Sequence, residues 1–254
     1  MEKLNLRHTE IIEILEENEF ISVKELADKL DVSLVTVRKD LTLLEKKGYV
    51  FRTHGGVSKR NLYAYEKPIL EKQTLQVDEK IKIAKKATSL ISENDFLVLA
   101  SGTTVYYLAQ ELLSFNQLTV CTPSLSVSIL LGENPLMNII QIGGELRKSS
   151  RSVIGSIAEN AIKQYSAHLL FLGVDGIDLN FGISTSNAAE AQLNKTMLSQ
   201  ADKVVVLADA TKINKKGFGK IADIEEIDIL ITNKPIDHAF LHAIQERGVE
   251  VLLV

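Results

Sequence analysis

The residues with the most suggestive chemistry fall in five short clusters, each placed directly after an apolar run. They are Ser101-Gly102-Thr103-Thr104, Thr122-Pro123-Ser124, Gly143-Gly144-Glu145-Leu146-Arg147, Asp175-Gly176-Ile177-Asp178 and Asp209-Ala210-Thr211-Lys212. The first sets hydroxyls and a glycine immediately before a helical pattern. At such a junction the free N–H groups and partial positive charge of the helix start attract an anion, and glycine lets a phosphate approach the backbone. Ser101, Gly102, Thr103 and Thr104 are therefore candidate phosphate ligands, with Ser124, Gly143 and Gly144 as neighbours. Arg147 and Lys212 would add positive charge, while Asp175 and Glu190 would accept hydrogen bonds from sugar hydroxyls. Taken singly, each has a plainer explanation. Ser101–Thr104 fits an ordinary helix cap after a strand, Arg147 a surface ion pair, Asp178 a turn and Lys195 a solvated helix face. The case for a site rests on the clusters sharing one edge of a sheet.

A different chemistry is written near the N-terminus. Net charge is −4 overall, but it is unevenly spread. Residues 1–31 hold four basic and nine acidic side chains, a balance of −5, whereas 35–60 hold seven basic and two acidic, a balance of +5. Within the basic stretch Ser33 can cap a helix whose apolar stripe is Leu34, Val37, Leu41 and Leu44. At about 100° per residue Thr36, Lys39 and Lys46 point away from that stripe, with Val35, Arg38 and Thr42 on its shoulders. Such a face suits the major groove of DNA, where Arg and Lys reach guanine edges or phosphates, and Arg38 and Lys39 are the leading contacts. Tyr49–Val57 reads as a strand, a Gly55-Gly56 turn and a return strand, which would bring Arg52 and His54 to the sugar-phosphate backbone or minor groove. Asp40, an acid beside phosphates, is expected to orient Arg38 or a neighbouring lysine.

These residues need particular elements to position them. Ile11, Ile12 and Leu15 mark a first helix, and Phe20-Ile21 a short extended segment. Ser22 with Glu25 forms a capping box for a second helix along Val23, Leu26, Ala27 and Leu30. With the Ser33 helix and the Gly-Gly hairpin, the order is helix, helix, turn, helix, wing. Residues 58–76 carry no sustained period and include Pro68, as a linker would. Beyond them, apolar strands alternate with amphipathic helices, beginning with a helix over 79–91 capped by Asp78 and strand 96–100. The rhythm continues through strands at 118–121, 139–142, 169–174, 203–208, 227–231 and 249–254. The expected fold class is thus α/β. An N-terminal winged helix-turn-helix (1–57) and a linker (58–76) precede a mainly parallel, doubly wound domain (77–254). Ligands in such sheets bind beyond the carboxyl ends of the strands, where all five clusters fall.

Composition narrows the rest. No tandem repeat or low-complexity tract is present, and the 24% charged and 45% hydrophobic fractions suit a folded globular chain. MEKLNLRHTEII lacks the apolar stretch of a signal peptide and no run is long enough to span a membrane, so a cytoplasmic protein is expected. The single cysteine, Cys121, excludes an internal disulfide and a multi-thiolate metal site and reads as a small buried strand residue. No cofactor and no metal are expected.

Ser33-Leu34-Val35-Thr36-Val37-Arg38-Lys39-Asp40-Leu41, then Leu44-Glu45, then His54-Gly55-Gly56, resembles the DeoR family of bacterial sugar-metabolism regulators. The resemblance continues over 79–233 through Ser-Gly-Thr-Thr, Gly-Gly-Glu-Leu-Arg, Gly-Val-Asp-Gly-Ile-Asp and Asp-Ala-Thr-Lys. It implies a repressor of carbohydrate-metabolism genes with Arg38 and Lys39 on its recognition helix, and the expected contacts to double-stranded operator DNA are Ser33, Val35, Thr36, Arg38, Lys39, Thr42, Arg52 and His54. It also implies control by a phosphorylated sugar in a sensor domain similar in fold to ribose-5-phosphate isomerase. That isomerase carries a Thr-Gly-Ser-Thr loop, an Asp-Gly-Ala-Asp and an Asp-x-Ser-Lys, which Ser101–Thr104, Asp175–Asp178 and Asp209–Lys212 resemble. Its Lys-Gly-Gly-Gly stretch has no counterpart in FGISTSNAAE (181–190), so binding without turnover is expected and no residue is assigned a catalytic role. The alternative is a phosphosugar isomerase fused to a DNA-binding domain, with Asp175, Glu190 or Lys212 in acid–base roles. A third reading is a constitutive DNA-binding protein whose large domain serves assembly. A single small helix-turn-helix reads few base pairs, so a homo-oligomer on paired half-sites is expected.

Overall fold

Side-chain caps set the helix starts at the N-terminal end of the chain. Helix α1 (Leu6–Glu17) begins where the Asn5 side chain accepts the His8 N–H at 2.8 Å. After β1 (Ile21–Ser22), helix α2 (Val23–Leu30) opens on a reciprocal box, the Ser22 hydroxyl taking the Glu25 N–H and the Glu25 carboxylate taking the Ser22 N–H. Helix α3 (Leu34–Lys46) opens on Ser33, whose hydroxyl accepts the Thr36 N–H at 3.2 Å. It stops at Gly48, which takes a left-handed φ of +77°. There the Tyr49 N–H returns to the Leu44 carbonyl and the Gly48 N–H to that of Glu45, the paired bonds of a Schellman ending. Strands β2 (Phe51–Thr53) and β3 (Gly56–Ser58) pair antiparallel, and β3 also pairs with β1. Ile11, Leu15, Leu26, Val37, Leu41, Leu44, Val50 and Val57 form the core beneath them.

The computed structural model describes residues 5–18, 21–53, 56–58 and 69–254, and the chain divides into two compact units, Met1–Glu66 and Lys67–Val254. In the second unit α4 (Ile69–Gln73) and α5 (Val77–Thr88) precede the alternating part. Then follow β4 (Phe96–Leu99), α6 (Thr103–Leu112), β5 (Thr119–Thr122), α7 (Leu125–Leu131), β6 (Asn138–Gln141), β7 (Glu145–Arg147), β8 (Ser152–Ile154) and α8 (Ser156–Ile162). The chain continues through β9 (Ala167–Gly173), β10 (Gly176–Asp178), β11 (Gly182–Thr185), α9 (Ala188–Leu198), β12 (Ala201–Leu207), β13 (Gly219–Ala222), β14 (Ile229–Thr232), α10 (His238–Glu246) and β15 (Glu250–Leu253).

Seven strands form a parallel sheet in the order β15-β14-β12-β9-β4-β5-β6. Successive side chains feed opposite faces: Val204 and Val206 enter one core cluster with α8, α9 and α10, while Val205 and Leu207 enter the other with α5, α6 and α7. Burial on both faces explains the continuous apolar runs. Cys121 lies buried in β5. The order reverses between β4 and β9, and in open α/β sheets the crevice for a ligand lies at the carboxyl ends of such a pair.

Three local expectations need correction. Residues 58–76 are not a featureless linker, since β3 ends at Ser58 and α4 occupies Ile69–Gln73; a five-residue helix is too short to carry a periodic signal. Helix α5 begins after Gln76 in a left-handed conformation without a side-chain cap, so Asp78 sits inside the first turn instead of capping it. Asp78 still lies in the first turn, where a negative charge meets the favourable end of the helix dipole. Strands β7, β8, β10, β11 and β13 were absent from the expected elements because three or four residues cannot display an alternation.

Candidate functional site

The N-terminal unit presents its candidate residues outward. Val35, Arg38, Lys39 and Thr42 line one open depression on α3, with Val35 61% exposed despite being apolar. Ser33, which starts the helix, is exposed as well, and Thr36 is half-buried. The opposite side of α3, Val37, Leu41 and Leu44, is sealed in the core, so the exposed face is held in one orientation. Leu34, expected on the apolar stripe, is 43% exposed because it lies at the first turn, beyond the reach of the core. Arg52 lies in β2, and His54 falls outside the described residues.

Asp40 does not orient Arg38 or a lysine. Its buried carboxylate takes Arg7 Nε at 2.6 Å and Nη2 at 3.2 Å, and lies 3.2 Å from His8 Nε2. His8 Nδ1 faces the Asn5 N–H, which leaves the Nε2 proton for Asp40. Burial pushes the Asp40 carboxyl up, but the Arg7 and His8 hydrogen bonds and the Arg7 charge outweigh it and hold the group below the usual carboxylate range. Asp40 thus bolts α1 to α3, and its negative charge is answered within the unit.

The second unit gathers its candidates inward, at the reversal between β4 and β9. Gly102 precedes α6 with φ +134°, a value that a side chain rarely adopts, and it supplies no side-chain cap. The first N–H groups of α6 are therefore left to the mouth of the crevice. Thr103 and Thr104 are buried in that first turn. A Cβ on Gly102 would reach 3.8 Å from Gly173 Cα, so the β4 and β9 ends are backbone against backbone there.

Around this turn lie two linked carboxylates. Glu190, buried at the start of α9, accepts the Ser101 hydroxyl at 2.6 Å and Arg147 Nη1 at 3.0 Å. Burial raises its pKa, against the opposing pull of Arg147 and Ser101. Asp175, after β9, accepts Lys72 Nζ at 2.7 Å, the Thr185 hydroxyl at 3.2 Å and the Ser186 N–H at 3.1 Å, with Lys212 Nζ 4.0 Å away. Burial pushes this carboxyl up, but Lys72 and Lys212 overcome it and hold it well below the ordinary range. The Thr185 hydroxyl also lies 3.4 Å from Glu190 Oε2, joining the two groups. Lys212 is shifted down, burial outweighing the attraction of Asp175.

The structure brings Ser101, Gly102, Arg147, Asp175, Glu190 and Lys212 into this network or beside it. Arg147 is not a surface ion-pair partner but is buried against Glu190. Ser124 instead caps α7, its hydroxyl accepting the Val127 N–H at 3.4 Å. Gly144 is required by packing: a Cβ there would stand 2.8 Å from the Ile154 carbonyl oxygen, whereas Gly143 faces open space. Asp178 forms its turn, accepting the Asn180 and Phe181 N–H groups.

Sequence reasoning missed Lys72, Lys80, Thr185 and Ser186. The run Ser184–Ser186 just before the α9 cap was a usable signal for the last two. Nothing local marked Lys72, which stands 103 positions from Asp175. Lys80, on α5, is buried and directs its ammonium to the carbonyls of Lys72, at 2.6 Å, and Leu75. Burial depresses its pKa to about 8, with Asp209 opposing and Lys212 and Lys72 adding to the shift.

A winged helix-turn-helix with an outward basic helix, followed by a doubly wound domain with an inward polar crevice, defines a regulator with an attached sensor. The chain belongs to the DeoR family: residues 75–234 match the DeoR C terminal sensor domain and residues 7–61 the DeoR-like helix-turn-helix domain. It is 33% identical over 249 residues to the HTH-type transcriptional regulator GolR of Listeria innocua, covering 96% of each chain. It is 30% identical over 243 residues to the HTH-type transcriptional repressor GlcR of Bacillus subtilis, covering 96% of this chain and 93% of that one. Among solved structures, ribose 5 phosphate isomerase A from Neisseria gonorrhoeae aligns at 17% identity and a TM-score of 0.42, over 58% of this chain and 57% of that one. Among the described residues no helix is long and apolar enough to cross a membrane.

Proposed function

We propose that this DeoR-family transcriptional regulator is a cytoplasmic repressor of carbohydrate-metabolism genes, and that a phosphorylated sugar bound in its second unit lowers its affinity for operator DNA. The observation that carries the effector reading is the uncapped N-terminus of α6 at the reversal of strand order, with Lys212 and Lys72 close to the same crevice. An anion there meets free N–H groups and positive charge together. In this reading Thr103 and Thr104 hold the phosphate with Ser101 and Gly102, Lys212 neutralises it, and Asp175 and Glu190 sort the sugar hydroxyls. Ser124, Gly143, Gly144 and Arg147 support the loops from behind.

Residues 1–57 form the DNA-binding part. Ser33, Val35, Thr36, Arg38, Lys39 and Thr42 face the major groove, with Arg52 and His54 on the wing. Residues 77–254, with α4 added, form the effector-binding part. The chain acts as a homo-oligomer, since paired half-sites multiply the few base pairs that one recognition helix reads.

Binding without turnover is the reading supported by FGISTSNAAE (181–190), where the isomerase's Lys-Gly-Gly-Gly stretch has no counterpart. In the free protein both carboxylates already have partners, Glu190 in Arg147 and Ser101 and Asp175 in Lys72. The test pairs two binding assays on purified protein: competition between DNA from its own promoter and random DNA, and thermal unfolding with hexose and pentose phosphates. Selective promoter binding with stabilisation by a phosphate ester, not by the parent sugar, is expected. Equal binding to both DNAs, or steady conversion of the sugar phosphate into an isomer, contradicts the reading.

A further inference from the structure

Strand β6 ends the seven-stranded sheet, and among the described residues it pairs with β5 alone. The Asn138 N–H turns inward to the Leu118 carbonyl at 2.9 Å, and the Ile142 N–H to that of Thr122 at 3.1 Å. Backbone groups alternate along a strand, so those of Ile139 and Gln141 point outward, past the edge of the sheet. Exposed edges are usually guarded by charge or proline, and the opposite edge, β15, opens on Glu250. Strand β6 has neither guard. Its Asn-Ile-Ile-Gln is uncharged, and between Glu111 and Glu145 the sequence holds a single charged residue, Glu133, against a charged fraction of 24% for the whole chain. The surroundings are apolar as well. Ile139 and Ile140 are only partly buried, one on each face of the sheet. Ile129, on the helix α7 that packs against β6, is 72% exposed, and Leu136, just before the strand, 57%.

We propose that β6 is the seam of a homodimer, in which the β6 strands of two copies pair antiparallel across a two-fold axis and join their sheets. This rests on the homo-oligomer reading above and gives it a surface. The outward groups fix the register: every N–H and C=O of Ile139 and Gln141 finds its match when Ile139 stands opposite Gln141 of the second copy, around a central pair of Ile140 residues. In such an interface one patch meets itself, so it must be self-complementary. A strand edge with alternating free donors and acceptors is complementary to its own reverse. A patch without charge also sets no like charges against each other across the axis, as a basic or acidic patch would. The occupant that fits best is therefore a second copy, equally apolar and equally uncharged. Ile129 and Leu136 beside the strand supply apolar surface that pairing withdraws from water, and depletion of charge is the mark of an interface core. The two-fold axis also matches the symmetry of paired half-sites on DNA.

The experiment uses the full chain in a Cys121→Ala background, with Ile140→Cys or Ile139→Cys added, mildly oxidised and run on a non-reducing gel. In the proposed register the two Ile140 positions face each other without mutual hydrogen bonds, where Cα atoms lie about 4.5 Å apart and a disulfide can close. The two Ile139 positions are offset along the strands. Ile140→Cys is therefore expected to cross-link into a covalent dimer, and Ile139→Cys to stay uncrosslinked. Sedimentation of Gln141→Pro gives the second reading, since proline there removes an outward N–H and no bond to β5. This variant should shift toward monomer while far-UV circular dichroism shows the fold retained, and the cross-link decides where it does not fold. An Ile140→Cys variant that associates without cross-linking, or a folded Gln141→Pro variant that associates as the wild type does, overturns the proposal and leaves the homo-oligomer reading standing. A wild type that sediments as a monomer overturns both.

Discussion

The two units organise their polar residues in opposite ways. In the N-terminal unit the candidate contacts stand outside on one helix, and the core behind them is apolar; Arg38 and Lys39 are exposed while Val37 and Leu41 are sealed. In the second unit the candidates come from loops scattered over more than a hundred residues, and the paired ones are buried (Ser101, Arg147, Glu190) or half-buried (Asp175, Lys212). An outward surface is ready for a large polyanion and needs only rigidity. An inward crevice must satisfy its own charges until a ligand arrives, so ligand binding there is an exchange of partners.

The largest effect separating these designs should come from breaking the inward pairs. Glu190→Ala removes the buried carboxylate that takes both Arg147 and the Ser101 hydroxyl, and about 3–5 kcal/mol of stability should be lost from the second unit. Leu41→Ala empties a fully buried site under α3 and should cost about 2–5 kcal/mol in the first unit. Hydrogen exchange on the two variants, each unit followed separately, checks that each loss stays in its own unit. A loss spread evenly over both units would break the comparison.

Much of the first unit was legible because it is built from local rules. Ser22 with Glu25, Ser33 and Gly48 are caps and stops that speak within four residues, and the stripe Val37, Leu41, Leu44 speaks within two turns. Asp40 was misread because its partner Arg7 lies 33 positions away, on another helix. In the second unit the strand–helix rhythm and the loops at the carboxyl edge were readable from apolar runs and their flanks. The partnerships were not. Whether Arg147 lies on the surface or against Glu190 depends on the β7–β8 hairpin, whose strands are too short to announce themselves.

Two smaller effects sharpen the contrast. Arg38→Ala should cost about 1–3 kcal/mol on operator DNA and much less on random DNA if the residue reads a base. Equal losses on both would make it a phosphate contact. Lys80 offers a test by pH. Its folded pKa of about 8 lies below that of an unfolded lysine, so the unfolded chain binds more protons between pH ~8 and ~10.4, and stability must rise with pH across that window. Chemical denaturation should show the wild type gaining on Lys80→Met over that range, and parallel pH profiles would show that Lys80 titrates normally.

The central claim, that an inward crevice controls an outward helix, is met most directly by fluorescence anisotropy of the full chain on labelled DNA from its own promoter, titrated with sugar phosphates and the parent sugars. The account predicts release of the DNA by one phosphate ester and no response to the same sugar without its phosphate. Specific binding that no ester alters, or an equal response to the unphosphorylated sugar, would contradict it.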